Sequence, residues 1–357
     1  MSDTLDAVRP WLASGGRVAM ATLVATRGAT PRRAGAKMWV GEDGRVLGSV
    51  TIGGCVDARV VAESEGVLAE GRARTIALHL GADEALELGL TCGGTIELLV
   101  EPLRLAADDP VVALYEHVGA HVRRGGRAAI ATIPGAAPRR IALLDDGGVA
   151  GTLGDAALDA ALRARAADLL AGESGVVVLG EGDAIPVAVE VHAPAGALVV
   201  VGAGHVAMAL SRLAAPLGLR TVIVDARERW ASAERFPDAD ERLVGIPSEL
   251  VGAMPLGAAD AVVLVAHDYK FDLPVLRVVL ATAAGYVGLL GSRRRGAAIL
   301  SELREAGIAE ERLARVRVPA GLDIGARTTE EIALSILAEA IAAVRGRSGG
   351  SLRADIA

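Results

Sequence analysis

Thiols and aromatic rings are the scarcest chemistry in this chain. It holds two cysteines, and Phe, Trp and Tyr together make up 2% of its 357 residues. Two cysteines exclude a disulfide framework, and so few rings exclude the stacking platforms on which single-stranded nucleic acid is bound. A formal net charge of -7 argues in the same direction, against binding along phosphate backbones. The N-terminus lacks a basic segment followed by an apolar run, so the chain is expected in a reducing, cytoplasmic setting. The mean hydropathy of +0.41 is high. Yet the longest uncharged apolar stretch, 278–292, is too short to span a bilayer and is broken by glycines. Nucleic acid and membrane are therefore both poor candidates as partners.

What the chain has in quantity is apolar bulk. Hydrophobic residues are 52% of the total, enough to fill the two or three cores that this length implies.

The two thiols are placed unusually. Gly53-Gly54-Cys55 opens one predicted helix, and Cys92-Gly93-Gly94 immediately precedes a predicted strand. Glycine pairs let bare backbone N–H groups converge, and a helix start adds partial positive charge, so an anionic sulfur at Cys55 is favoured. The competing reading is a small buried hydrophobe in a tight turn. Spacing supports the helix: Val56, Val60, Val61, Val67 and Leu68 share a face, Asp57, Arg59, Glu63, Glu65 and Glu70 occupy the rest, and Gly71 ends it. A second anion-friendly loop lies upstream, from Thr26 to Arg33, with Lys37 close behind; a solvated basic turn is the plainer alternative.

The front half repeats itself. Gly15-Gly16-Arg17-Val18-Ala19-Met20-Ala21-Thr22 recurs as Gly125-Gly126-Arg127-Ala128-Ala129-Ile130-Ala131-Thr132. Each copy then leads through Pro-Arg-Arg (Pro31-Arg32-Arg33, Pro138-Arg139-Arg140) and a glycine turn to Gly48 or Gly151, turns helical around Asp57 or Asp159, and closes on a strand ending at Pro102 or Pro194. One α/β unit used twice explains this pattern. The copies differ in chemistry: Ala157 stands where the first copy has Cys55, and the second has no counterpart of Cys92. The second copy is therefore read as scaffold.

Beyond Pro194 strands alternate with helices. The apolar run 198–201 enters Gly202-Ala203-Gly204-His205-Val206-Ala207, a helix follows, and a second strand, 221–224, ends on Asp225, about 20 residues past the first glycine. Strand, glycine turn, helix, strand and acid make the dinucleotide fingerprint in its proper setting, with Asp225 as acceptor for a ribose hydroxyl. Arg227 and Arg229 are candidates for the extra phosphate of NADP. His205 at the helix start is read as facing phosphate or metal, or as simple packing. Further strands are predicted at 261–266, 286–290 and 315–318. The segments after them carry His267, Lys270, Ser292, Arg293 and Asp323, where an open parallel sheet places its ligand. Thr328-Thr329-Glu330-Glu331 signals the start of a last helix over 329–344.

The expected fold is α/β: a duplicated N-terminal α/β unit followed by a C-terminal Rossmann-like, doubly wound parallel sheet. The expected boundaries are 1–104 for the cysteine-bearing unit, 105–195 for its copy, 196–345 for the nucleotide-binding domain and 346–357 for a tail.

Several motifs in combination resemble the xanthine dehydrogenase accessory (XdhC/CoxI-type) proteins. They are Gly53-Gly54-Cys55-Val56, Cys92-Gly93-Gly94, Val201-Gly202-Ala203-Gly204-His205-Val206-Ala207, Phe236-Pro237-Asp238-Ala239-Asp240, His267-Asp268-Tyr269-Lys270-Phe271-Asp272, Leu290-Gly291-Ser292-Arg293-Arg294 and Gly321-Leu322-Asp323-Ile324-Gly325-Ala326. The resemblance implies binding of the molybdenum cofactor (molybdopterin), help with its sulfuration, and delivery to a xanthine dehydrogenase or carbon monoxide dehydrogenase type of molybdoenzyme. The apoprotein of that molybdoenzyme and a cysteine desulfurase become candidate partners, and a homodimer is expected. Cys55 is then the metal or sulfur-transfer contact and Cys92 its neighbour or gate. Asp57 departs from the glutamate usual in the family after Cys-Val. The rival reading is an NAD(P)-dependent oxidoreductase with His267 or Lys270 as proton donor. A third is a redox switch that joins Cys55 to Cys92.

Overall fold

A computed structural model of the protein describes residues 5, 8–13, 16–28, 32–51, 55–79, 94–104, 109–180, 184–194, 196–266 and 268–351, with backbone alone for Leu12, Cys55 and His79. The chain forms two compact units, Met1–Pro194 and Ala195–Ala357.

The first unit opens with a short helix α1 (Arg9–Ala13), then β1 (Val18–Gly28), β2 (Lys37–Gly41), β3 (Val46–Gly48), helix α2 (Cys55–Glu70), β4 (Arg74–His79) and β5 (Gly94–Leu103). The same plan follows again: helix α3 (Pro110–Arg123), β6 (Ala128–Ile133), β7 (Arg139–Leu144), β8 (Val149–Thr152), helices α4 (Ala156–Ala164) and α5 (Ala166–Ala171), β9 (Gly175–Leu179) and β10 (Ile185–His192). Their strand orders, β3-β2-β1-β5-β4 and β8-β7-β6-β10-β9, are identical. Each sheet is antiparallel throughout.

Strand periodicity explains the layering. Ala19, Ala21 and Leu23 of β1 face α2 through Val56, Val60, Val67 and Leu68. The alternate residues Val18 and Met20 join Ala128 and Ile130 of β6, with Tyr115 and Val118 of α3, in one core shared by both copies. On the far side of the second sheet, Leu158, Leu162, Leu169 and Leu170 of α4 and α5 close a third cluster.

The ladder pairing corrects one part of the sequence alignment. Thr22 of β1 faces Lys37, and its counterpart Thr132 of β6 faces Arg140. Arg140 is thus the structural partner of Lys37, and the Pro-Arg-Arg likeness is a coincidence of turn composition. Pro102 likewise corresponds to Val191, through Ala19 and Ala129, rather than to Pro194.

The second unit is a six-stranded, all-parallel sheet of order β13-β12-β11-β14-β15-β16. Its strands are β11 (Ala197–Val201), β12 (Arg220–Asp225), β13 (Glu241–Val244), β14 (Ala261–Leu264), β15 (Tyr286–Leu289) and β16 (Val316–Arg317). The helices are α6 (His205–Ala214), α7 (Pro247–Gly252), α8 (Tyr269–Val279), α9 (Arg293–Glu305), α10 (Glu310–Leu313) and α11 (Thr329–Val344). Central strands such as Ala-Leu-Val-Val-Val are buried along their whole length, as a sheet covered on both faces requires. Val199, Val201, Val262 and Leu264 pack with Val275, Leu276 and Ile299 of α8 and α9 on one face; Leu198, Val200 and Val263 pack with Leu210, Ile336 and Leu337 of α6 and α11 on the other. Counted in chain order the strands read 3-2-1-4-5-6, so the order reverses between β11 and β14, the crevice where such sheets bind ligands. Among the described residues no helix is long and apolar enough to cross a membrane.

Candidate functional site

Topology gathers the cysteine-bearing chemistry of the first copy at one end of its sheet. β1 ends at Gly28, opposite Gly94 at the start of β5. β4 ends at His79 opposite Thr95, β3 ends at Gly48 opposite Met38, and β2 starts at Lys37 opposite Thr22. Three connections therefore open at this end: 29–36, 49–54 and 80–93. Helix α2 starts here on Cys55, while Gly48, at φ +77°, makes the turn that leads to it. Asp57 in the first turn accepts from the hydroxyl of Thr51 at 3.4 Å. The second copy does the same with Asp159 and Thr152 at 2.7 Å, so this bond belongs to the repeated turn. Gly94 sits at the mouth of the β1–β5 ladder. The side chain of Cys55, and Cys92, Gly53, Gly54 and Gly93, lie outside the described residues.

Between the two sheets lies a buried ionic network that sequence reading missed. Lys37, 1% exposed, donates to Glu190 at 2.6 Å, to Thr22 at 3.2 Å and to the Tyr115 hydroxyl at 3.2 Å. Tyr115 in turn donates to the other Glu190 oxygen at 2.6 Å. Arg140 of the second copy donates to Glu101 of the first. Glu101 faces Met20 as Glu190 faces Ile130, so the two pairs are the same positions exchanged between copies. Burial alone would raise the Glu190 carboxyl; the Lys37 ammonium and His192 outweigh it and hold it far below the usual range. Burial pushes the Glu101 carboxyl up, against the pull of Arg140. Lys37 is thus turned into the core, and the basic loop before it does not include it. The signal in the sequence was a charged residue in each of four largely apolar strands: Lys37 in β2, Glu101 in β5, Arg140 in β7 and Glu190 in β10.

In the parallel sheet, the glycine turn has the geometry its spacing promised. Gly202 has φ +103°, and a Cβ on it would lie 2.7 Å from the backbone of Ala266, so glycine is required where the β11 and β14 loops touch. Gly204 is the N-cap of α6, brings no side chain to its amides, and has open space around it. His205 is exposed at the first helical position, which removes the packing alternative. Asp225, 4% exposed, lies beside the turn and is already engaged. Its oxygens accept from the Ala203 amide (2.7 Å), the Arg227 amide (2.9 Å), and Arg227 Nε (2.9 Å) and Nη2 (2.8 Å). Burial opposes ionisation of Asp225, but these bonds outweigh it and hold the carboxyl below its ordinary range. Both Arg227 and Arg235 lie over Trp230, at 4.5 and 4.8 Å from the ring centroid. Arg235 also donates to the Ala203 carbonyl at 3.0 Å.

The other expected residues sit after the carboxyl ends of the strands in different settings. Ser292 caps α9 by accepting from the Arg295 amide at 3.2 Å. Arg293, Lys270 and Asp323 are exposed. His267 lies outside the described residues. Phe236 of the Phe-Pro-Asp motif is fully buried against α6 and α11, and Asp240 accepts from the Thr221 amide at 2.7 Å, so that motif anchors a loop. Among the described residues no cluster of His, Cys, Asp and Glu suited to a metal ion is present.

Comparison with known proteins places this geometry. A model of the XdhC and CoxI family matches residues 11–80, and a model of the XdhC Rossmann domain matches residues 198–340. The chain is 30% identical over 334 residues to the molybdenum cofactor insertion chaperone PaoD of Escherichia coli (strain K12), covering 94% of this chain and 85% of that protein. The chain belongs to the XdhC and CoxI family. This XdhC-type chain is also 26% identical over 324 residues to a probable xanthine dehydrogenase subunit of Bacillus subtilis (strain 168), covering 90% of the one and 92% of the other. To YqeB of Escherichia coli (strain K12) it is 33% identical over 236 residues, a match spanning 43% of YqeB's length. The crystal structure of a xanthine dehydrogenase from Bacillus halodurans superposes with TM-score 0.79 at 26% identity, covering 99% of this chain and 98% of that one. The two XdhC family models take in the first copy as far as β4 and nearly all of the parallel-sheet unit, and neither reaches the second copy.

Proposed function

We propose that the protein holds molybdenum cofactor for a xanthine dehydrogenase or carbon monoxide dehydrogenase type of molybdoenzyme and delivers it to the apoprotein. The observation that carries this reading is the start of α2 on Cys55 at the sheet end where three connections of the first copy open. The names of the PaoD and Bacillus subtilis relatives support the same class of role.

The residues fit the chemistry of the group. Cys55 offers a soft sulfur at the start of a helix, where an anion is favoured, and Gly53, Gly54 and Gly94 bring no side chains that obstruct the approach. Asp57 is held by Thr51 and shapes the turn. The bound cofactor supplies a dithiolene-held molybdenum and a phosphate tail. In this reading Cys55 contacts the metal end, Cys92 is its neighbour, and help with sulfuration, from a cysteine desulfurase, is a later step on the same thiol. A cytoplasmic homodimer belongs to the same proposal.

The test is the ligand content of gently purified protein: a pterin fluorophore and molybdenum are expected after oxidation, with most of both lost in Cys55→Ala. Full cofactor retention and full activation of the partner apoenzyme by Cys55→Ala would overturn the thiol's role. A second reading, an NAD(P)-dependent oxidoreductase, is favoured by one observation, the 3-2-1-4-5-6 sheet with its glycine turn. Nicotinamide turnover with no response to molybdenum cofactor would select it.

A further inference from the structure

At the mouth of β12 a charged group is favoured over a hydroxyl. An acid at this position of a dinucleotide-binding sheet reads ribose hydroxyls with free oxygen lone pairs. A carboxylate has about four such acceptor sites. At Asp225 four donors already meet them: the Ala203 amide, the Arg227 amide, and Nε and Nη2 of the Arg227 guanidinium. A ribose hydroxyl arriving here finds its acceptor taken.

What faces outward instead is guanidinium. The fork that grips Asp225 uses one edge of Arg227, and among the described residues no protein group takes its Nη1. The side chain is 55% exposed, so that edge is open to solvent. Arg235 is tied to the glycine turn through the Ala203 carbonyl and to the Trp230 carbonyl through Nε at 3.0 Å, and both guanidiniums lie close to the Trp230 ring centroid, Arg227 at 4.5 Å and Arg235 at 4.8 Å. Glu228, Arg229 and Glu234 are exposed on the same segment, but no bond among the described residues fixes them to the turn. Two oriented forks near an open glycine turn suit a dianion with several acceptor oxygens.

We infer that Arg227 and Arg235 read a phosphate monoester at the position where such sheets ordinarily read ribose hydroxyls, with Asp225 acting as the strap that orients Arg227 and pins the glycine turn. Two sources carry this chemistry: the 2′-phosphate of an adenine dinucleotide, and the terminal phosphate of a pterin cofactor. The pterin source rests on the function proposed above; the dinucleotide source does not.

The experiment titrates the full chain with two matched pairs, NADP+ against NAD+, and an oxidised fluorescent pterin derivative of the cofactor with and without its phosphate. In at least one pair the phosphate-bearing member is expected to bind about tenfold tighter, a difference of about 1.4 kcal/mol. Arg227→Ala removes that preference. It also frees Asp225 to accept hydroxyls, so NAD+ affinity holds or rises, which separates loss of phosphate reading from loss of fold. Arg235→Ala, which removes a guanidinium bonded to the Ala203 and Trp230 carbonyls and not to Asp225, weakens the same preference without touching Asp225. Equal binding within both pairs, no binding of any member at about millimolar ligand, or a preference that survives both substitutions would overturn the inference. Neither nucleotide carries molybdenum. Failure in that pair therefore leaves the Cys55 reading standing, and retention of cofactor by Cys55→Ala leaves this one standing.

Discussion

The two copies of the N-terminal sheet share a strand order yet spend the same end of it differently. In the first, the connections at that end are 29–36, 49–54 and 80–93; in the second they are 134–138, 153–155 and 180–184. The helix starts differ in the same sense. Asp155 caps α4, accepting from the amides of Ala157 and Leu158, whereas two glycines with no side chain to offer precede α2. A helix start closed by its own carboxylate is a stable scaffold, and one preceded by glycines leaves its amides for a guest. On the function proposed above, duplication lets one copy carry the stability while the other carries the chemistry.

The buried pairs between the copies give the largest expected effects. Lys37 removed alone leaves Glu190 charged or forces it to protonate in the core, so Lys37→Met is expected to destabilise by about 3–5 kcal/mol in urea unfolding. Arg140→Met is expected to cost less, because the opposing Glu101 is already pushed toward its neutral form. Replacing both members, Arg140→Met with Glu101→Leu, should be neutral or stabilising by about 1–4 kcal/mol. Equal losses for the two single substitutions would remove the asymmetry between the pairs.

Acid sharpens the same asymmetry. Glu190 has a lowered carboxyl pKa, so in acid the unfolded chain binds the proton first; its contribution is present above the ordinary value of 4.5 and drains away as pH falls below it. Glu101 has a raised pKa, so the folded chain binds the proton first and its contribution diminishes as pH rises from 4.5 through the folded value. Glu190→Gln should therefore flatten the acid limb of a stability profile measured by urea unfolding, and Glu101→Gln the limb just above it. Profiles that respond alike to both substitutions would contradict the assignment.

The parallel sheet was legible because its strands are continuous apolar runs punctuated by glycine: 198–201 was expected and Ala197–Val201 found, and the last helix matched at Thr329–Val344 with its capping box of Thr328 and Glu331. The repeat was legible from its glycine turns, but not its register, since Pro-Arg-Arg is a turn composition that recurs without structural equivalence. The ionic network was illegible because alternation assigns a charge in a strand to solvent, and only the facing copy buries Lys37 and Glu190. In the candidate sites, the position of Asp225 could be read but its occupancy could not. That depends on Arg227 folding back two residues, and nothing in spacing distinguishes that from an arginine held out in water.

The smallest expected effect addresses the opening contrast directly. Asp155→Ala removes the cap of α4 and should cost about 1 kcal/mol in thermal or urea unfolding, with no effect on retained cofactor. The reciprocal change, Gly54→Asp, puts a carboxylate before Cys55. If the amides of α2 are vacant, it should stabilise the unit by a few tenths of a kcal/mol, since glycine is a tolerable cap and aspartate a slightly better one. A fixed negative charge there also repels an anionic ligand and an ionised thiol. Stability gained together with cofactor lost, read on the same preparation by melting and by pterin fluorescence, is the expected pair of results. Stability gained with cofactor fully retained would mean that the start of α2 is only a helix end, as in the second copy.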